Sequence, residues 1–183
     1  IKAISPQAPV CDWWRGDDFH RNGAFALFDA VSFLPNFGFK ERSKSPEPPT
    51  FESPIENNAW DYFSANRLSD ITSSLAGQVP FWDEMMQHPN YDEFWQSRNA
   101  LRAAKWIKVP TLIVGGAFDA EDSYGTWALY NALRENGSID ECRLIIGPWA
   151  HCAWRGEGKA NALGGVEFSE ESMTEFYRNE IEF

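Results

Sequence analysis

Cysteine is scarce, with three in 183 residues (Cys11, Cys142, Cys152), far apart and odd in number. That excludes a disulfide framework and leaves at least one thiol unpaired within the chain. No Cys-x-x-Cys occurs, and the three histidines (His20, His88, His151) fall in no His-x-x-x-His spacing, so no zinc site is expected. Basic residues are also few: 16 Lys and Arg stand against 27 Asp and Glu, a net charge of −11. A nucleic-acid binder would carry a basic face, and docking on an anionic membrane would need one as well. The spot at Lys105 and Lys108 is too small for either. No run approaches the roughly 20 consecutive apolar residues of a membrane span. The glycine-rich stretch 156–165 has no lysine followed by Ser or Thr, so it is no phosphate loop. No cofactor is expected.

What is present is a core. Apolar residues make up 43% and charged residues 23%, ordinary for a globular chain with room for one domain. Aromatics reach 15%, with nine Trp. Such side chains fill cores first and line pockets second. Residue 1 is Ile rather than Met, and 180–183 fall in a helical pattern with no cap, so a piece of a longer protein is expected. In such a piece the lack of a signal peptide means nothing.

The pattern along the chain changes twice. Residues 1–5 read as a short strand leading into Pro6 and Pro9. Residues 11–23, rich in Asp, Trp, His and Gly, read as a pocket-lining loop. Residues 24–34 carry Phe25, Leu27, Phe28, Val31 and Leu34 at helical spacing, with Pro35 expected to end the helix. Residues 40–56, with Pro46, Pro48, Pro49 and Pro54, read as an extended linker. Short helices are expected over 58–105, one capped by Asn58 and one opened by Pro80. Then the grammar becomes strand–helix–strand–helix. Residues 111–115 and 143–146 are buried parallel strands in pattern. Residues 123–135 form a helix with Ser123 as its cap, ended by Asn136-Gly137. Residues 169–182 form another helix, with Ser169 as cap, Glu170 and Glu171 in its first turn, and Met173, Phe176, Tyr177 and Ile181 as its apolar face. This alternation implies an α/β fold with a parallel sheet.

Ligands of open α/β sheets bind at the carboxyl ends of the strands. Two polar clusters sit there: Ala117-Phe-Asp119-Ala-Glu121-Asp122 and Pro148-Trp-Ala-His151. An Asp after one parallel strand and a His after the next is the order of the last two members of a Ser…Asp…His triad. The spacing of 32 between them leaves room for one helix and one strand. The plainer alternatives are a turn or cap for Asp119, a structural His151, and for Glu121-Asp122 a helix start stabilised by acids. His151-Cys152 suggests a thiol–imidazole pair, but adjacent side chains rarely point at one another. Asn136-Gly-Ser138 fits a glycosylation sequon and, more simply, a turn.

Gly16-Asp-Asp-Phe-His20, Asn22-Gly-Ala-Phe25, Phe118-Asp-Ala-Glu-Asp122 and Gly147-Pro-Trp-Ala-His151 resemble the α-amino-acid ester hydrolases, within a wider family of glutaryl cephalosporin acylases, cocaine esterase and bacterial X-Pro dipeptidyl peptidases. The resemblance runs from about residue 1 to the end. It implies the C-terminal half of an α/β-hydrolase sheet (residues 1–39 and 106–183) with a helical cap inserted at 40–105. It implies Asp119 and His151 as catalytic acid and base, and Asp18, Glu121 and Asp122 as carboxylates that hold a substrate α-ammonium group. The nucleophilic serine of such enzymes sits in a Gly-x-Ser-x-Gly elbow, and none occurs here. The expected parent is a secreted or periplasmic serine hydrolase or acyltransferase acting on α-amino acid esters or β-lactam amides through an acyl-enzyme. The piece alone is expected to be inactive. The alternatives are a glutaryl acylase, a cocaine-esterase-like enzyme, an X-Pro dipeptidyl peptidase, or a non-catalytic hydrolase-like binding module. The expected partner is a small ester or amide with an α-amino group, with no nucleic acid and no membrane; a homo-oligomer is left open.

Overall fold

A computed structural model describes residues 1–37, 55, 58–136, 141–155, 162–163, 165–168, 176, 178, 180 and 182–183. The expected linker other than Ile55, the Gly137-Ser138 turn and most of the glycine-rich stretch lie outside the described residues. So do Ser169, Glu170, Glu171, Met173, Tyr177 and Ile181 of the expected last helix; Phe176, Arg178, Glu180 and Glu182 are helical.

The loop over residues 11–19 runs into a hairpin of β1 (His20–Arg21) and β2 (Ala24–Phe25). Its turn is Asn22-Gly23, both left-handed with φ of 51° and 86°. Asn-Gly is the pair that tolerates two such residues in succession. The hairpin consumes the start of the helix expected from residue 24, so α1 covers Leu27–Phe37. Pro35 does not end it. So late in the helix the missing N–H removes only one hydrogen bond.

Four short helices follow: α2 (Ala59–Ala65), α3 (Leu68–Leu75), α4 (Pro80–Met86) and α5 (Glu93–Gln96). Asn58 caps α2, accepting the Trp60 N–H at 2.9 Å, and Pro80 opens α4. Beyond α5 the helical spacing is broken at Asn99, whose side chain caps a 3₁₀ segment over Ala100–Trp106. There the Ala100 N–H leaves the helix to donate to the Cys11 carbonyl at 2.8 Å. One apolar cluster joins all this: Val31 and Leu34 of α1, Ile71, Trp82 and Trp95 of the short helices, and Phe19 of the loop, with Trp13 and Trp14 against its flank. Fully burying each large side chain contributes about 1.5–3 kcal/mol. Much of the aromatic content among the described residues packs in or against this core.

The sheet comes next. β3 (Thr111–Gly116) and β4 (Cys142–Gly147) pair in parallel from Thr111–Cys142 to Gly116–Gly147, and α6 (Ser123–Glu135) connects them. Ile113 faces Leu129 and Leu133 of α6; Leu112 and Val114 face Trp149, Trp154 and the helical Phe176. Both faces of β3 are covered, as a parallel strand requires. The chain's first residues lie along the other edge of β3, through parallel bridges at Ile4–Thr111 and Gln7–Val114. The expected continuous strand over 1–5 is thus two bridges. Ile4 N–H donates to Pro110, Leu112 N–H to Ile4, Val114 N–H to Pro6 and Ala8 N–H to Val114. The rung between them is missing because Pro6 has no N–H. A small hairpin, β5 (Ala162–Leu163) and β6 (Val166–Glu167), lies downstream. The fold is α/β, with its parallel strands neighbours as expected. No helix among the described residues is long and apolar enough to cross a membrane.

Candidate functional site

β3 and β4 end side by side, and their backbone pairing continues past them. Ala117 N–H donates to the Gly147 carbonyl at 2.8 Å and Phe118 N–H to the Trp149 carbonyl at 3.1 Å. A side chain on Gly116 would run into the Trp149 carbonyl, so glycine is required where the two chains leave the sheet together. This exit delivers Asp119 and His151 to one another.

One Asp119 oxygen, Oδ1, accepts the N–H groups of Glu121 and Asp122, both at 3.0 Å. The other, Oδ2, accepts Nδ1–H of His151 at 3.0 Å. The acid is 1% exposed and the imidazole 36%. That bond places the proton on Nδ1, so the neutral ring keeps its lone pair on Nε2. Burial acts to raise the Asp119 pKa, but the bonds from His151, Asp122 and Glu121 hold it below the usual carboxylate range. For His151 the Asp119 bond is the largest influence. It and the charges of Asp119, Glu121 and Asp122 outweigh burial and push the pKa up to about 8.

The other three expected carboxylates gather around this ring. Glu121 Oε2 is 3.9 Å from Nε2, and Asp122 Oδ2 is 3.7 Å from Nδ1. Asp18 arrives from the distant loop in a left-handed conformation (φ 47°), its Oδ2 accepting the Trp13 indole N–H at 2.7 Å. Burial, then the charges of Glu121 and Asp17, push its pKa up to about 6 against the Trp13 bond and His151. Burial also dominates at Asp122, with Asp18, Asp17 and Glu121 adding repulsion against His151, and the result is about 8. Asp122 Oδ1 is buried with no hydrogen-bond partner. Beside these groups opens a cavity of about 380 Å³, walled by Phe28 and Phe33 of α1 and by Phe118, and reaching Glu121 and His151.

Other candidates resolve as architecture. His20 donates Nδ1–H to the Trp13 carbonyl at 2.9 Å and packs against Trp14 and Trp95; burial lowers its pKa. His88 pairs with Asp92 at 2.7 Å and stacks on Phe94. No group of His, Cys, Asp and Glu among the described residues could hold a metal ion. Ser123 is not the cap of α6: Asp122 stands at that position and its side chain makes no cap bond.

Two residues of consequence carried no recognisable signal. Asp17 accepts the N–H groups of Cys11 (2.8 Å), Asp12 (3.0 Å) and, 108 residues away, Gly125 in the first turn of α6 (2.7 Å). The Gly16-Asp-Asp motif points to its neighbour Asp18 instead. Arg21 donates to the Ala120 carbonyl at 2.6 Å and to the His20 carbonyl at 3.1 Å. These two partners are backbone atoms, which no side-chain pattern could announce.

Several known proteins resemble the chain in sequence or in fold. Residues 1–153 match a family model described as X-Pro dipeptidyl-peptidase (S15 family). The chain is 25% identical over 173 residues to cocaine esterase from Rhodococcus sp. (strain MB1 Bresler), covering 90% of this chain and 29% of that protein. Among solved structures it resembles an aminopeptidase from the marine sediment archaeon Thaumarchaeota archaeon, with a TM-score of 0.82 and 29% identity over 98% of this chain and 29% of the other. It also resembles an α-amino acid ester hydrolase, with a TM-score of 0.75 and 24% identity over 96% of this chain and 28% of the other, a likeness of fold. The chain spans less than a third of the length of these relatives.

Proposed function

The chain belongs to the X-Pro dipeptidyl-peptidase (S15) family, and from that premise we propose that it supplies the acid and base of a serine hydrolase whose nucleophile lies outside these residues. The carrying observation is the 3.0 Å bond between His151 Nδ1 and Asp119 at the ends of adjacent parallel strands. In this reading Nε2 of His151 takes the serine proton as the hydroxyl attacks the acyl carbon. It then returns that proton to the leaving group as the acyl-enzyme forms, and water repeats the cycle to release the acid. Asp119 holds the ring by Nδ1 and stabilises its charged form. Residues 40–105 act as a cap insertion, a reading supported by the single apolar cluster that ties α2–α5 to α1 and the 11–19 loop.

The substrate we propose is an α-amino acid ester or β-lactam amide whose ammonium group lies among Asp18, Glu121 and Asp122. Converging buried carboxylates repel one another, and at least one keeps its proton unless a cation relieves them. The unpartnered Asp122 Oδ1 supports this placement, and the phenylalanine-walled cavity suits an apolar substituent. The N-terminal residue of a peptide offers the same ammonium group. The likeness to an aminopeptidase makes that the second reading.

The test is Asp18→Asn in the complete hydrolase. We expect kcat/KM for α-amino esters to fall by about tenfold to a few hundredfold, the equivalent of about 1.4–3 kcal/mol for a hydrogen bond to a charged group. The matching desamino ester should change far less. Wild-type kcat/KM should rise with pH through about 8 as His151 loses its proton. For the amino ester it should fall again as the substrate amine, with a pKa of about 7.7–8.0, deprotonates. The desamino ester should show the rise alone. Equal losses on both substrates would make Asp18 structural and reduce the reading to a general esterase or acylase.

A further inference from the structure

The carboxylates of the proposed ammonium site come from two loops more than a hundred residues apart, and something must fix their separation. Asp17 anchors the first loop to the start of α6. The second tie is closer to the reacting groups. Arg21 Nη2 donates to the Ala120 carbonyl at 2.6 Å, and Ala120 lies between Asp119 and Glu121. Nη1 donates to the His20 carbonyl at 3.1 Å and, more loosely, to the Asp18 carbonyl at 3.5 Å. Nη2 also pairs with Asp29 of α1 at 3.4 Å. Asp29 lines the cavity.

We infer that Arg21 is a positioning residue: its guanidinium spans the two loops and sets where Asp18, Glu121 and Asp122 stand relative to the substrate's ammonium group. The substrate half of this inference rests on the function proposed above. The physical ground is that a guanidinium is a rigid planar fork of donors with fixed angles between them. Three backbone carbonyls bound to one fork cannot drift independently. The Arg21–Asp29 ion pair is not the reason for the residue. Both side chains are more than a third exposed, and such pairs contribute little. A Lys at this position would keep the charge and lose the fork.

Arg21→Ala and Arg21→Lys in the complete hydrolase test the inference with two readouts. The first is kcat/KM on an α-amino ester and on its desamino analogue. Arg21→Ala should lower the former by about tenfold or more, the scale of a misplacement below 1 Å, and the latter by less than about threefold. Arg21→Lys should stay within about threefold of the alanine variant on the amino ester, because charge without the fork restores little. The second readout is the titration of His151 by NMR. The groups facing the ring are Asp119, Glu121 and Asp122 on its own side and Asp18 from the loop. If Arg21 positions Asp18, Glu121 and Asp122, its loss lets those three move away while Asp119 stays bonded to Nδ1, and the His151 midpoint falls. If Arg21 acted only as a nearby positive charge, its loss would raise the midpoint. Arg21→Lys, which disturbs folding least, carries the same titration should the alanine variant be unstable.

Equal losses on both esters, full recovery in Arg21→Lys, or a His151 midpoint that stays or rises would overturn the inference. Failure of the ammonium reading looks different. A wild-type hydrolase that does not distinguish the amino ester from its analogue removes that reading. Arg21 then stands or falls on the titration alone.

Discussion

Asp12 and Asp17 on one side, and Asp18 and Asp122 on the other, are all buried acids within reach of the same loop, yet they sit on opposite terms. Asp12 accepts the N–H groups of Trp14 and Arg15 with one oxygen, and the Tyr91 hydroxyl and Asn99 amide with the other. Asp17 accepts three backbone N–H groups. Asp18 has one indole donor, and Asp122 leaves an oxygen with none. A buried carboxylate whose oxygens are all occupied holds loops and helices in place, as Asp12 does between the 11–19 loop and the helices after α4. One left short of donors and crowded by like charge is unfavourable until a cation arrives. Under the proposed function, that difference divides the acids that hold the fold from those that would hold the ammonium group.

Substitutions can break or sharpen that contrast. The largest effect is expected at His151, whose ring Asp119, Glu121 and Asp122 face. His151→Ala in the complete hydrolase should lower kcat by about 10⁴-fold or more with KM nearly unchanged, since the base acts in the transition state. Its thermal melt should barely move, and a large loss of stability would place His151 with the architecture instead. Next comes Asp17→Ala, which strands three buried donors. A loss of about 3 kcal/mol or more in urea unfolding is expected, and a loss no greater than that of a surface substitution would erase the distinction. The smallest effect is a gain. Asp122→Asn should stabilise the protein by about 1 kcal/mol at pH 8.5 and by less at pH 5. The sign follows from the raised Asp122 pKa. The native state holds a proton between the ordinary carboxylate range and about 8 that the unfolded chain releases, so stability falls as pH rises through that window. The amide carries no such proton, and urea titrations at the two pH values measure the difference.

Much of this was legible because local chemistry and global fold agreed. The apolar runs that predict strands at 111–115 and 143–146 fall one residue inside β3 and β4, and the helix at 123–135 has the bounds of α6. Asp119 and His151 follow those strands directly, so strand order alone placed them near each other. Legibility failed where tertiary contacts outrank local preference. Asn22-Gly23 is a hairpin signal, yet the apolar spacing of 24–34 read as an uninterrupted helix. Pro35 reads as a stop, but near a helix end it removes little. Ser123 reads as a cap, but the Gly125 N–H is met by Asp17 from more than a hundred residues away. Arg21 was invisible for the same reason.

Gly116 gives one further consequence. In every other residue type a carbon atom would stand where this glycine carries hydrogen, and that carbon would press against the Trp149 carbonyl two residues before His151. The gap between Asp119 and His151 is therefore gauged by a missing methyl group at the mouth of the sheet. A Gly116→Ala protein would keep every residue named in the proposed chemistry and still hold its imidazole at the wrong distance.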